Sequence, residues 1–474
     1  LLRERQINPY PDRASFSCES AAVIRANFKK LSESGNAVGV QGRILAKREH
    51  GGAVFIDVAG GDSALQVFLA KDKLGEEAFH LFMAAADIGD FIAVRGKPFY
   101  TKREEATIEA AKWEMLAKSL RPLPEKWHGL QDVEERFRKR YLDILMNPEV
   151  RARFELRARL VAELRTTLVK EGYIEVETPI LQPLYGGALA EPFLTHHRAL
   201  EMDMYLRVAP ELYLKRLLVA GFEKIYEIGK NFRNEGIDAT HNPEFTTIEL
   251  YAAYMNAASL RDFIAGVLHN LIKKVTGTAE FEFEGHKIAF PKKISTIPFW
   301  TVLERHALIP QAAVLSKEEL ALRARQFGLS PEPHEIKEKI ANEIFSKICR
   351  PKMIQPTYVV DYPIAISPLA KNIQGKPDVV DRFQLIVGGI EVVNAFSELN
   401  DPREQRSRFE FQEGLREGAD KEAHPMDEDF VEALEYGMPP AAGLAVSIDR
   451  ITMLLTNTRN IKEVIIFPTL KRKE

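Results

Sequence analysis

Five short runs of β-forming residues crowd into the segment 37–118, at 38–46, 53–59, 64–70, 91–99 and 107–116, with glycines at 51–52, 60–61 and 89 between them. A helical stretch, 73–85, falls between the third run and the fourth. Residues 1–36 read as an N-terminal extension whose helix, 18–34, ends near Gly35. After the fifth run, Arg121-Pro-Leu-Pro124 breaks the pattern. Its prolines fix an extended segment that joins neither domain's regular structure, so 119–140 is expected to be a linker. A chain of 474 residues is too long for one ordinary domain. The second domain, 141–474, opens with an amphipathic helix over roughly 149–171, which Gly172 is placed to end. Strand-rich and helical segments then mix without βαβ alternation, which favours an α+β fold with an antiparallel sheet.

Five strands with a helix in that slot suggest an OB-type barrel, a frequent nucleic-acid binder, and a generic small β domain fits the same pattern. The hydrophobic fraction of 45% and charged fraction of 28% leave room for an ample core. With a net charge of −3 and a pI near 6.5, no global field points to nucleic acid, so any RNA surface must be a local patch. Cys18 and Cys349 stand far apart with no CxxC and no histidine cluster, so no zinc site and no disulfide framework is expected, and a cytoplasmic, reducing setting is. No apolar run approaches the roughly 18–20 residues of a membrane span. The first residues lack the apolar core of a secretory signal. They also lack an initiator Met, which leaves the native start expected upstream.

Chemistry concentrates in Phe232-Arg-Asn-Glu-Gly236 and His241-Asn-Pro-Glu-Phe-Thr-Thr-Ile-Glu-Leu-Tyr251. The polar stretch 230–244 separates two strand-like runs, 222–229 and 245–254, giving a strand–loop–strand hairpin. Period two puts Phe245, Thr247, Glu249 and Tyr251 on one face and Thr246, Ile248 and Leu250 on the other. The first face packs poorly and suits a ligand. This string resembles the second signature of class II aminoacyl-tRNA synthetases, in the form that lysyl-tRNA synthetases carry. The likeness implies that Arg233 grips the α-phosphate and the amino-acid carboxylate, that Glu235, His241 and Asn242 line the ATP site, and that Phe245 stacks on adenine. A guanidinium fork in a dry site suits the charge that builds on a pentavalent phosphorus. Taken alone, Arg233 reads better as a surface ion pair, and only inside the whole string does the functional reading prevail. Gly443-Leu-Ala-Val-Ser-Ile-Asp-Arg450, followed by Val464-Ile-Ile-Phe-Pro468, resembles the third signature, with Arg450 on the γ-phosphate. Gly172-Tyr-Ile-Glu-Val-Glu-Thr-Pro179 resembles the first, which implies a homodimer. The likeness runs from about Ala37 to Leu470.

The same resemblance implies lysine as the amino acid. Ala209-Pro-Glu211-Leu-Tyr and Asn394-Ala-Phe-Ser-Glu398 are similar to lysine-binding segments of the family. Glu211 and the Gly187 backbone are then expected at the α-amino group, and Glu398, Tyr251 and Glu249 at the ε-ammonium. Asn394 would support the carboxylate, and Phe396 would lie along the aliphatic stem. Desolvated carboxylates repel one another unless a cation joins them, so an uncharged analogue would leave each unpaired at about 1–3 kcal/mol. Taken alone, Glu211 and Glu398 read as solvated surface carboxylates. Magnesium on the ATP phosphates is expected at Glu391, with Gln384 standing where the family usually has an acid. Ala445 and Ser447 stand where glycine is usual, and an added Cβ there should narrow the pocket floor. Strict alternation after the Gly388-Gly389 turn would put Glu391 opposite Asn394, Phe396 and Glu398, so a β-bulge near Val392–Val393 is expected to return it to the ligand side.

In the first domain, Arg48, Phe55 and Gln66 fall at the spacing with which the related enzymes read the central anticodon base of tRNA(Lys). Phe55 would be the stacking platform, or alternatively a barrel core residue. Glu105 is a candidate for the neighbouring base, and Lys47, Lys102 and Arg103 for the RNA backbone. Two other functions fit the same strings. One is a paralogue that binds tRNA or lysine with weak catalysis, and the other is a ligase loading lysine or an isomer onto a protein.

Overall fold

The computed structural model describes residues 1–61, 63–124, 130, 132–417 and 425–472. They fall into two compact units, Leu1–Gln131 and Asp132–Glu474. In the first, β1 (Val38–His50), β2 (Ala53–Gly60), β3 (Ser63–Ala70), β4 (Phe91–Tyr100) and β5 (Ala106–Ala117) pair in the order β1-β2-β3-β5-β4. The last strand returns to β1, so the sheet closes into a barrel with no open edge. Alternation decides which residues fill it: Val54, Ile56 and Val58 of β2 and Leu65, Val67 and Leu69 of β3 are buried. The helical stretch between β3 and β4 is two helices, Lys71–Leu74 and Glu76–Ala85, and the second adds Phe79 and Phe82 to the core. The expected helix 18–34 is likewise two, Ala21–Ala26 and Phe28–Ser34, with Asn27 between them. Lys47 donates from Nζ to the carbonyls of Met83 and Ala86, 3.4 and 3.1 Å away, at the end of helix Glu76–Ala85. That contact turns it into the fold and away from an RNA role.

The second unit begins earlier than the linker reading allowed. Helices Val133–Arg138 and Arg140–Met146 occupy the stretch, and Asp132 caps the first by accepting from the backbone N–H groups of Glu134 and Glu135. Arg140 is fully buried. Its guanidinium binds Asp143 at 2.7 Å, the Ile466 carbonyl at 3.1 Å and the Lys462 carbonyl at 2.7 Å, clamping the C-terminal segment to these helices. Helix α1 (Pro148–Lys170) follows, with proline in its first turn, where the missing N–H costs nothing.

The sheet comprises β6 (Ile174–Glu175), β7 (Lys224–Phe232), β8 (Glu244–Ala253), β9 (Ser295–Pro298), β10 (Thr357–Pro363), β11 (Lys376–Val387), β12 (Ile390–Ser397) and β13 (Ala441–Ser447). Their order is β9-β10-β11-β12-β13-β8-β7-β6, with the short strand Asn372–Ile373 beside β11. Pairing is antiparallel except at the two ends, β6–β7 and β9–β10. Leu160 and Leu164 of α1 and Leu260, Ile264 and Leu268 of α3 (Ala257–Thr276) share one core cluster with Ile248, Leu250, Leu444 and Val446 of the sheet. That core covers one face of the central strands and leaves the other for polar groups. The loop between β7 and β8 is 233–243, shorter than the 230–244 read from polarity, because Lys230, Asn231 and Phe232 still pair with β8. Among the described residues, no helix is long and apolar enough to cross a membrane.

Asp143 also accepts from Arg136 at 2.8 Å, so it neutralises the buried Arg140 and a second cation together. Asp143→Ala strands Arg140 in the interior, and chemical denaturation should report a loss of about 3–5 kcal/mol.

Candidate active site

Phe245, Thr247, Glu249 and Tyr251 of β8 all line a cavity of about 400 Å³, as period two requires. Across β13, β12 contributes Glu391, Asn394 and Phe396. Residues of both parities reach the cavity because β11 pairs Leu385 with Val393 and then Ile386 with Glu391, leaving Val392 as an extra residue. Gly388 and Gly389, at φ of 58° and 73°, make the tight turn that sets this register.

One end of the cavity is cationic. Arg233 leaves β7 with its backbone N–H on the Pro243 carbonyl at 2.9 Å. Its guanidinium lies 5.1 Å from the Phe245 ring centroid, and its buried Nε has no partner within the protein. Arg450, in the first turn of α4 (Ile448–Leu455), donates to the Glu391 carbonyl at 3.0 Å and lies 3.3 Å from His241 Nε2. Burial and the Arg450 charge lower the His241 pKa despite Asp238, whose carboxylate sits 2.9 Å from Nδ1. The ring is therefore assigned neutral, with Nδ1–H on Asp238 and Nε2 accepting from Arg450. Asn242 donates to the Glu244 carbonyl at 2.6 Å and keeps a buried, unpartnered Oδ1. Glu235 is exposed at the cavity's edge. Asp449, beside Arg450, is fully buried; it pairs with Arg157 of α1 at 2.6 Å and accepts from the Thr246 N–H at 2.7 Å, tying α4 to β8.

The other end is anionic. Glu211 opens α2 (Glu211–Val219) beside Gly187, and Glu249 accepts from the Tyr251 hydroxyl at 3.3 Å. Burial, reinforced by the Glu211 charge, pushes the Glu249 carboxyl up to about 8 against the opposing pull of Arg207 and Arg233. Burial raises Glu398 as well, and Lys215 opposes that rise. Glu398 is 1% exposed, and its Oε1 has no hydrogen-bond partner. A Cβ built on Gly443 of β13 would lie 2.3 Å from both that oxygen and the Tyr251 ring, so only glycine permits this approach. Glu211 and Glu398, expected at opposite ends of a bound lysine, are joined within the protein. Lys215 Nζ lies 2.6 Å from Glu211 and 2.5 Å from Glu398.

Lys215 escaped the sequence reading, although a Glu–Lys pair four residues apart on a leucine-rich helix was a visible signal. Arg382 escaped it too. It donates to Asn394 Oδ1 at 3.0 Å and to Ser367 Oγ at 2.8 Å, orienting the Asn394 amide. Ala445 faces the cavity between its cross-strand partners Glu249 and Asn394. The Ser447 hydroxyl caps α4 by accepting from the Arg450 N–H at 3.2 Å.

As a cation site this end of the hairpin is sparse. Glu391 has only a loose ion pair with Arg350, at 3.6 Å, while Gln384 Oε1 already accepts from the Tyr362 hydroxyl at 2.7 Å. Among the described residues, no group of three or more His, Cys, Asp or Glu side chains could hold a metal by itself. One available carboxylate fits magnesium that enters bound to phosphates and keeps its waters.

On the barrel, Arg48 stands across from Phe55, Phe55 from Phe68, and Asp57 from Gln66. Phe55 is half-buried against Phe68, 4.8 Å between centroids, while Val54 and Ile56 take the core positions. The alternative of a core Phe55 therefore fails. Arg48 is held by both oxygens of Asp57, at 2.9 and 2.7 Å, and Gln66 Oε1 accepts from Thr107 at 2.9 Å. Glu105 is exposed just before β5, two residues from Thr107.

Residues 132–471 match the family described as tRNA synthetases class II (D, K and N), and residues 38–122 match the OB-fold nucleic acid binding domain. The chain is 46% identical over 475 residues to the lysine–tRNA ligase of Pelotomaculum thermopropionicum, covering 100% of this chain and 93% of that one. It is 45% identical over 473 residues to the corresponding ligases of Moorella thermoacetica and Carboxydothermus hydrogenoformans, covering 100% of this chain and 96% of each.

Gly443→Ala forces a methyl against Glu398 and Tyr251. Overpacking of this kind costs about 1–3 kcal/mol, so calorimetric affinity for lysine should fall by at least about fivefold while ATP affinity holds.

Proposed function

The chain belongs to the class II tRNA synthetases of the D, K and N group, and from that premise we propose that it is a lysine–tRNA ligase: it activates lysine with ATP and transfers it to the 3′ end of tRNA(Lys). What selects lysine is the pair of buried carboxylates Glu211 and Glu249 lining a pocket that also carries Arg233 and Arg450, with buried Glu398 set directly against the lining residue Gly443. A doubly cationic amino acid with a free carboxylate satisfies both ends, and a neutral side chain would leave Glu398 Oε1 unpaired. The full-length likeness to lysine–tRNA ligases favours RNA over a protein as acceptor.

In the first step a lysine carboxylate oxygen attacks the α-phosphorus, the bond to pyrophosphate breaks, and lysyl-adenylate forms. Arg233 stabilises the charge that builds on the α-phosphate, Arg450 holds the γ-phosphate, and Phe245 supplies the adenine platform. His241 and Asn242 position the nucleotide, with Glu235 at the edge. Glu211 and Gly187 hold the α-amino group; Glu398, Tyr251 and Glu249 hold the ε-ammonium; Asn394, fixed by Arg382, orients the carboxylate; Phe396 packs the stem. Magnesium entering with ATP would be held by Glu391, with Gln384 a weak neighbour, and would supply positive charge against the phosphate oxygens. In the second step the terminal ribose hydroxyl attacks the adenylate carbonyl and AMP leaves. The outer barrel face with Arg48, Phe55 and Gln66, and Glu105 beside it, reads the anticodon. A homodimer forms through the segment around α1 and β6, where Val169, Ile174, Ile180 and Leu181 are exposed. The setting is the cytoplasm, where tRNA is charged.

Lysine-dependent ATP–pyrophosphate exchange tests the first step. Arg233→Ala should lower its kcat by roughly 100-fold or more. Background exchange by the unaltered protein with ATP still bound would overturn the proposal in favour of a binder. Phe55→Ala removes one stacking surface worth about 1–3 kcal/mol, so kcat/KM for tRNA charging should drop by about 5- to 150-fold with exchange intact.

A further inference from the structure

The ammonium of Lys215 sits where neither the lysine-binding residues nor the nucleotide-binding residues account for it. The side chain is 0% exposed and its Nζ bridges Glu211 Oε1 at 2.6 Å and Glu398 Oε2 at 2.5 Å. The rings of Phe396 and Phe430 close over it, with centroids 5.3 and 5.9 Å away. We propose that Lys215 is an internal counter-cation that sets the charge of the amino-acid pocket: when a bound dication draws all three buried carboxylates into their ionised form, the built-in ammonium leaves two negative charges, the number a fully protonated lysine side chain and α-amino group neutralise. The inference rests on the reading of this pocket as the lysine site.

Two consequences follow from the geometry. Lys215 takes the Oε2 side of Glu398 and leaves Oε1 facing Tyr251 and Gly443, so it aims the carboxylate as well as charging it. It also favours the ionised forms of Glu211 and Glu398, opposing the burial and mutual repulsion that raise both. Other charged groups face the cluster. Glu249 and Tyr251 come from β8, and Arg382 of β11 acts on Glu211. Arg207 and Arg233 act on Glu249. Across from α2, Asp427 is engaged by Arg216 at 3.1 Å. None of these cations lies within ion-pair distance of Glu398, so among the described residues its direct neutralisation falls to Lys215. Lys215 is a positioning residue; it touches neither reacting atom.

The sign of the pH effect is fixed. Binding a dication requires ionised carboxylates, so the lysine KM rises as pH falls through their titration. Removing the internal ammonium moves that titration upward. In the exchange assay, Lys215→Met should raise the lysine KM at pH 7 by tenfold or more, shift the midpoint of its pH profile upward by about one unit, and change the ATP KM less than twofold. Lys215→Arg keeps the charge and should keep the midpoint, whatever its KM. A folded Lys215→Met protein with an unchanged lysine KM and profile overturns the proposal. So does a Lys215→Arg protein whose midpoint shifts upward, and that variant decides if the Met variant does not fold. Lysine-dependent exchange by the unaltered protein separates a failure here from a failure of the lysine reading.

Discussion

Burying three carboxylates in one pocket is expensive, because each loses hydration and each repels the others. The contact that makes it tolerable is the bridge from Glu211 through Lys215 to Glu398, which pins α2 to the end of β12 by charge while the apolar side of α2 packs against Phe430 and Leu434. Everything selective about the cavity stands on that bridge. Without it, the close approach of Gly443 and the aim of Glu398 would have no fixed reference.

Seen from end to end, the cavity is polarised. Arg233 and Arg450 stand toward one end, with Glu391 beside Arg450, and Glu211 and Glu249 stand toward the other, with Arg382 acting on Glu211. A zwitterion with an extra distal cation fits such a field best with its carboxylate toward the guanidinium groups. Orientation of the substrate is thus a property of the charge layout before any hydrogen bond is counted. The sheet can carry this layout because its opposite face packs an apolar core, from Ile248 and Leu250 to Leu444 and Val446.

Much of this was legible in the sequence, and the reasons are physical. Phe245, Thr247, Glu249 and Tyr251 alternate with Ile248 and Leu250, and a period of two leaves little freedom in where they point. The barrel strands were bounded by glycine turns, and the bulge at Val392 was forced by parity. What escaped was non-local or masked by composition. The helix from Val133 lay under the proline signal of the preceding stretch, although Asp132 was a readable cap. Lys215 looked like any helical lysine until the fold showed that its helix is covered on that side. Phe55 could not be assigned inward or outward from an aromatic in a strand alone, and the structure places it outward.

The extra residue at Val392 sets the phase of its strand. It advances the pleat of β12 by one step, so that a single strand turns Glu391, Asn394 and Phe396 alike toward the cavity. Point substitutions cannot reset that phase; only gaining or losing a residue can. The spacing between the glycine turn and Asn394 therefore decides which side chains of the strand share the cavity, whatever their identity.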